Sequence, residues 1–157
     1  MKKNISENVS YREAVKSETA IRHAIVNEPT EKALANMRRL AEEVFEPLRK
    51  RAGGPVAVTS FFRSPALNRR IGGSPTSQHC FGQAMDVDGH VYGGISNREI
   101  FHFILNHCEF DQLIWEFGDD IEPAWVHVSL REKGNRKQAL RAVKVAGKTQ
   151  YWALDKA

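Results

Sequence analysis

Cysteine is scarce in this chain: Cys80 and Cys108 are the only two in 157 residues, and they form no CxxC clip. That excludes a disulfide framework and a cysteine-based zinc finger. No stretch approaches the roughly 20 consecutive apolar residues of a membrane span, so no membrane partner is expected. Met1-Lys2-Lys3-Asn4 leads into polar residues and lacks the apolar core of a secretory signal. The sequence therefore predicts a chain made in the cytoplasm without a signal peptide. Internal repeats, low-complexity tracts and linker-like runs are missing too, which points to one domain over residues 1–157.

What is present is ordinary for a folded protein: 41% hydrophobic and 27% charged residues. A chain of this length buries about 68–70% of the surface its unfolded form exposes, enough for a real core. The net charge of +4 is unevenly placed. From Arg131 onward, eight basic residues (Arg131, Lys133, Arg136, Lys137, Arg141, Lys144, Lys148 and Lys156) stand against two acidic ones. The preceding 130 residues carry 15 basic and 17 acidic. Such a patch could suit an anionic polymer, although its dilution favours a solvated face of basic side chains. No aromatic-studded basic groove or recognition helix accompanies it, so no nucleic-acid partner is expected.

Apolar residues Ala33, Leu34, Met37, Leu40, Ala41, Val44, Phe45 and Leu48 recur at three- and four-residue steps, which predicts a helix over residues 30–51 with one buried face. Thr30 is its N-cap and Gly53-Gly54-Pro55 its stop, while Pro47 falls late enough to bend or shorten it. A weaker apolar-periodic piece runs over Ala20–Val26. Val56–Ser60 reads as a strand, followed by a short helix with Pro65 in its first turn, a loop over 72–83 and a strand at Ala84–Asp88. Ser96-Asn97-Arg98-Glu99 opens a helix through His107. Gln112–Phe117 and Trp125–Leu130 read as paired strands around an acidic turn, and Leu140–Val145 with Thr149–Leu154 as a last hairpin. Without a βαβ rhythm, the fold class is α+β with a small antiparallel sheet and helices packed on it.

Most of the six histidines read as structural or surface residues; none is spaced i, i+4 with another on a helix. His79 and Asp86 differ. They sit in a loop rich in small residues that runs into a strand, where a carboxylate between Met85 and Val87 is costly unless paired or bound to a metal. His127 lies likewise between Val126 and Val128. Two imidazoles and a carboxylate on or beside strands make a three-ligand site with a fourth position left for water, as zinc catalysis requires. Spacing alone leaves open that each is a hydrogen-bonded core residue.

Ser77-x-His79-x-x-Gly82-x-Ala84-x-Asp86, followed downstream by Trp125-Val126-His127-Val128-Ser129, resembles the zinc D-Ala-D-Ala carboxypeptidase family, peptidase M15, and especially its small phage- and bacterium-associated branch. Phe62-Arg63-Ser64-Pro65 is similar to that family's arginine-bearing turn, and Gln112–Gly118 to its penultimate core strand. The resemblance spans roughly residues 10–150. It implies a small α+β fold shared with hedgehog signalling domains, with one Zn2+ per chain held by His79, Asp86 and His127. It also implies that Arg63 contacts a substrate oxygen, and that Ser77 bonds a ligand or substrate or merely caps its loop. Cys80 reads as a small buried residue and not a fourth ligand, since neighbouring side chains point apart.

The implied activity is zinc-dependent hydrolysis of peptide bonds in bacterial peptidoglycan stem peptides by metal-activated water, of D,D-carboxypeptidase or endopeptidase type. An endolysin-like role, with release to the cell wall through a separate pore, fits the missing signal. The alternative is an inactive wall-binding or structural module of the same fold. One departure bears on that choice: many members carry an acid three residues before the last histidine ligand, where this chain has Ala124. Symmetric pairing of the two central strands sets Glu116 opposite Trp125 and Ile114 opposite His127, so Glu116 and His127 share a face. Glu116 is thus the expected general base, with Glu122 the alternative; Asp119 and Asp120 read as solvated at the turn's tip.

Overall fold

The computed structural model describes residues 3–154, so Lys156 lies outside the described residues. A six-stranded sheet has the order β1-β2-β4-β3-β5-β6. Its strands are β1 (Ala57–Ser60), β2 (Ala84–Asp88), β3 (Gln112–Glu116), β4 (Trp125–Ser129), β5 (Gln138–Val145) and β6 (Lys148–Ala153). Around it lie helices α1 (Tyr11–Val15), α2 (Glu18–Arg22), α3 (Glu31–Leu40), α4 (Glu46–Ala52), α5 (Pro65–Arg70) and α6 (Asn97–His107). The α+β expectation holds.

Thr30 caps α3 by accepting the Ala33 N–H, and Gly53 ends α4 in the left-handed conformation. Pro47 does not shorten this helix. It lacks an N–H and its ring crowds the carbonyl four residues back, and a π-helical turn at Ala41–Phe45 widens the coil just before it. The piece at Ala20–Val26 contributes little to the core: Ala20 is buried, but Ile21 and Val26 are exposed. Ile5 and Val9 are buried instead.

Period-two alternation gives the sheet two unlike faces. Val58, Met85, Val87, Leu113, Trp115, Val126 and Val128 join Met37, Leu40, Val44 and Phe45 and the α6 residues Ile100, Phe101 and Ile104 in one buried cluster. Each large side chain fully buried there contributes roughly 1.5–3 kcal/mol, so this layer outweighs any single polar contact. On the other face, Ser60, Asp86, His127, Ile114, Leu140 and Ala153 form one cross-strand row. A β-bulge between Val58 and Ser60 lets β1 join that row.

The sheet is not wholly antiparallel: β3 and β5 run parallel, Gln112 opposite Gln138 through Glu116 opposite Ala142. The cause is a corner at Asp111. β4 ends beside the start of β3, and the chain must cross that end before β5 begins. Asp111, fully buried, pins the crossing. Its N–H donates to Ser129 O, its own carbonyl accepts from the Gln138 N–H, and its carboxylate accepts from Arg131, the Gln78 amide and both the backbone and guanidinium of Arg136. Two members of the supposed basic patch are therefore tied to this carboxylate, and Arg141 pairs with Asp120.

Burial alone would raise the Asp111 carboxyl, but the hydrogen bonds from Arg136 and Gln78 overcome it and hold the group at about 2. A carboxyl depressed in the folded state adds stability that is full above its unfolded pKa near 3.9 and lost as pH falls toward 2. Asp111→Asn is expected to lower stability by about 2–3 kcal/mol at pH 7 and to flatten the fall between pH 4 and 2. Thermal unfolding followed across that range checks it, and an unchanged midpoint at pH 7 refutes it.

Candidate metal centre

His79 rides on a 3-10 turn, Gln78–Phe81, docked against α3. Gly82 ends the turn at φ 70°, and a Cβ there would lie 2.4 Å from Ala33 O and 2.7 Å from Met37 Cγ. The glycine of the motif is thus required both by backbone conformation and by close approach. Asn36 donates to Phe81 O, Gln78 to Asp111, and the Arg63 N–H to His79 O, so the turn is held on three sides. Asp86 and His127 face each other directly across β2 and β4.

His79 is 2% exposed. Its Nδ1 lies 2.7 Å from Phe61 O. A carbonyl only accepts, so Nδ1 carries the hydrogen and Nε2 keeps its lone pair. That Nε2 lies 3.5 Å from Asp86 Oδ1, and His127 Nδ1 lies 3.0 Å from the same oxygen. The ligating atoms of the three residues all fall within 4.8 Å of one another. Zinc bonds of about 2.0–2.1 Å at tetrahedral angles space neighbouring donors about 3.3 Å apart, which the two measured separations bracket. Two imidazoles and a carboxylate, one imidazole already oriented through its far nitrogen, fit a metal ion.

Burial lowers the pKa of His79, only partly offset by the Asp86 charge. Burial would raise the Asp86 carboxyl, yet the imidazoles of His79 and His127 beside it, the latter within hydrogen-bond distance, hold it well below the usual carboxylate range. Glu116 opposes Trp125, and Ile114 opposes His127, in the register expected from the sequence. Glu116 is 8% exposed. Burial pushes its carboxyl to about 7; the His127 charge pulls it down and the Asp86 charge pushes it up. Phe117, at φ 55°, breaks the strand alternation and packs against Ile114, Leu140 and Ala142 on this face, its ring 5.4 Å from that of Trp125.

Arg63 lies close enough for its charge to act on His79. Its Nη1 donates to Asn68, while its Nε is buried with no hydrogen-bond partner, and among the described residues it forms no ion pair. Ser77 begins the turn bearing His79 without a side-chain capping bond. Cys80 is half-buried, not fully buried, and outside the ligand group. Glu122 is engaged elsewhere: its Oε1 accepts from the Asn97 N–H and lies 3.0 Å from His90 Nε2. Asp119 and Asp120 are at the exposed turn, Asp119 accepting from the backbone of Ile121 and Glu122.

Asn97 is a positioning residue that the sequence reading passed over. Fully buried, it donates to Asp88 and to Ala124 O and accepts from the Gly89 N–H, joining the end of β2, the start of α6 and the acidic turn. Its only sequence signal is its place in the capping box at Ser96. Ala124 also donates its N–H to Glu116 O, so the position without an acid is a backbone corner beside Glu116.

A family model described as Peptidase M15 matches residues 7–129, which include His79, Asp86 and His127. The chain belongs to the peptidase M15 family. Curated proteins give no match. Peptidase M15 members are zinc-dependent metallopeptidases, and the donor set of this M15 chain suits such a metal. The match ends at Ser129, the last residue of β4.

The purified protein is expected to take up metal at one equivalent per chain, and His79→Ala or His127→Ala to lose most of that affinity. Elemental analysis after dialysis checks it. Full zinc retention in the double variant would move the centre elsewhere.

Proposed function

We propose that this protein hydrolyses a peptide bond in the stem peptides of bacterial peptidoglycan, as a D,D-carboxypeptidase or an endopeptidase, with one zinc ion held by His79, Asp86 and His127. The observation that carries the reading is Glu116: a buried carboxyl, raised to about 7, on the same face as His127 and two residue pairs further along β3 and β4. A structural carboxylate of the ion-pair kind is depressed, as Asp111 is; a raised one suits proton transfer near neutrality.

Bound zinc supplies a Lewis acid that polarises the scissile carbonyl and brings the pKa of water toward about 7. Glu116 takes the proton of the attacking water and delivers it to the departing amine. Phe117 and Trp125 beside it keep the carboxyl poorly hydrated. Arg63, whose charge reaches His79 and meets no acid among the described residues, holds a substrate carboxylate or the oxygen on which charge develops. Glu122, tied to Asn97 and His90, serves the loop and not the reaction. The enzyme reaches the wall once released from the cell, where exposed Lys133, Lys137 and Lys148 favour an anionic polymer.

Mass analysis of purified peptidoglycan fragments incubated with the protein, with and without a chelator, tests the reading. New chelator-sensitive fragments are expected, and their masses identify the bond. No cleavage of any wall fragment by zinc-loaded protein would favour the wall-binding module. Glu116→Gln is expected to keep zinc and fold but lose two or more orders of magnitude in turnover, about the worth of a general base. A collapse confined to Glu122→Gln would reassign the role.

The pH profile carries the same logic. A base acts only when deprotonated, so kcat/KM falls as pH drops through the Glu116 pKa. A cation at the three ligands lowers that pKa from about 7, placing the acid limb below neutrality. The residual rate of Glu116→Gln should lack that limb, and its persistence would implicate another group.

A further inference from the structure

The segment after Ser129 lies beyond the matched family region, yet it builds part of the ligand face. In one cross-strand row, Trp125 on β4 opposes Glu116 on β3, Glu116 opposes Ala142 on β5, and Ala142 opposes Tyr151 on β6. Tyr151 and Glu116 therefore project from the same side of the sheet, two strands apart, about 10 Å between their Cα atoms at ordinary strand spacing. The residue between them is an alanine, fully buried and too short to separate them. The floor along this row is apolar, formed by Ile114, Leu140, Ala142 and Phe117. Tyr151 stands at its far edge, 55% exposed.

We propose that Tyr151 is a substrate-contacting residue of this site, its phenol O–H donating a hydrogen bond to a backbone carbonyl of the bound peptide. The inference rests on the peptidase reading above. Sheet order supports it. From β4, which bears His127, Arg63 follows the strand two places to one side, and Tyr151 lies on the strand three places to the other. A peptide crossing the ligand residues from the Arg63 side passes over the apolar floor toward β6. Three strand spacings are about 14 Å, the length of roughly four extended residues. The length of the tyrosine side chain shortens that reach, so it meets the peptide outside the bond being cut. The phenol is also electrically part of the site: burial raises its pKa, and the charges of Glu116 and Asp86 raise it further. It is thus held protonated, as a hydrogen-bond donor must be.

Tyr151→Phe keeps the ring and removes the donor. On a cell-wall stem pentapeptide, KM is expected to rise about five- to tenfold with kcat within about twofold, as for one lost hydrogen bond to bound substrate. On the shortest capped fragment of that peptide still cut, which does not extend to β6, the variant should match the parent. An equal effect on both substrates, or none on either, overturns the proposal; so does a fall in kcat at constant KM. Tyr151→Ala, with at least the same rise in KM and an unchanged unfolding midpoint, separates the contact from a folding defect. Should the unmutated protein cut no peptide, the peptidase reading fails by itself. Calorimetric binding of the pentapeptide to zinc-loaded protein then decides on Tyr151, with an unchanged Kd in Tyr151→Phe overturning it.

Discussion

The register of β4 between β2 and β3 fixes everything on the ligand face. His127 must sit opposite Asp86 on one side and Ile114 on the other. A slip of one residue would turn its imidazole into the helix layer and expose Val126 and Val128, both fully buried. Two such side chains are worth several kcal/mol at roughly 1.5–3 each, far more than the hydrogen bond between His127 and Asp86. The polar geometry is therefore set from behind, by apolar residues that never touch a ligand. Asp86, His127 and Glu116 need no mutual attraction to stay in place, which is why charged groups that would otherwise rearrange can be held close together.

What the sequence made legible follows the same division. The spacing of Ala33 to Leu48 and the alternation around Val126 and Val128 reflect burial, and burial leaves a periodic trace. From that trace the β3–β4 pairing could be placed to the residue. The ligand set could not: only the resemblance carried His79, Asp86 and His127 beyond the ordinary reading of core histidines. The parallel docking of β5 left no trace either. It depends on Asp111 meeting Arg131 and Arg136, residues that a charge count assigns to a solvated patch. Asn97 joins three segments through contacts that no local pattern announces, and Pro47 is accommodated by a π-helical turn that periodicity does not register.

Ala124 has a structural place of its own in this fold. Judged as one position in a pattern, it suggests a lost acid and a dead enzyme. In the fold it is the point where the main chain donates to Glu116 O and accepts from the Asn97 amide. Glu116 on β3 sets a carboxylate on the same face of the sheet as His127. The strand that completes its burial, β5, follows the segment the family model matches. The face that carries His127 and Glu116 is thus built from a longer stretch of chain than the matched motif.

The tight packing of His79 and Asp86 has a consequence for metal uptake. Sites built from imidazole and carboxylate usually expel protons as the cation enters, because their ligands must first be deprotonated. Here burial lowers the pKa of His79, which favours its neutral ring, and the imidazoles beside Asp86 hold its carboxyl well below the usual carboxylate range. Both groups are already in the form a cation needs. The heat of zinc binding near neutrality therefore carries little contribution from proton release by these two residues, and acid competes poorly for their places.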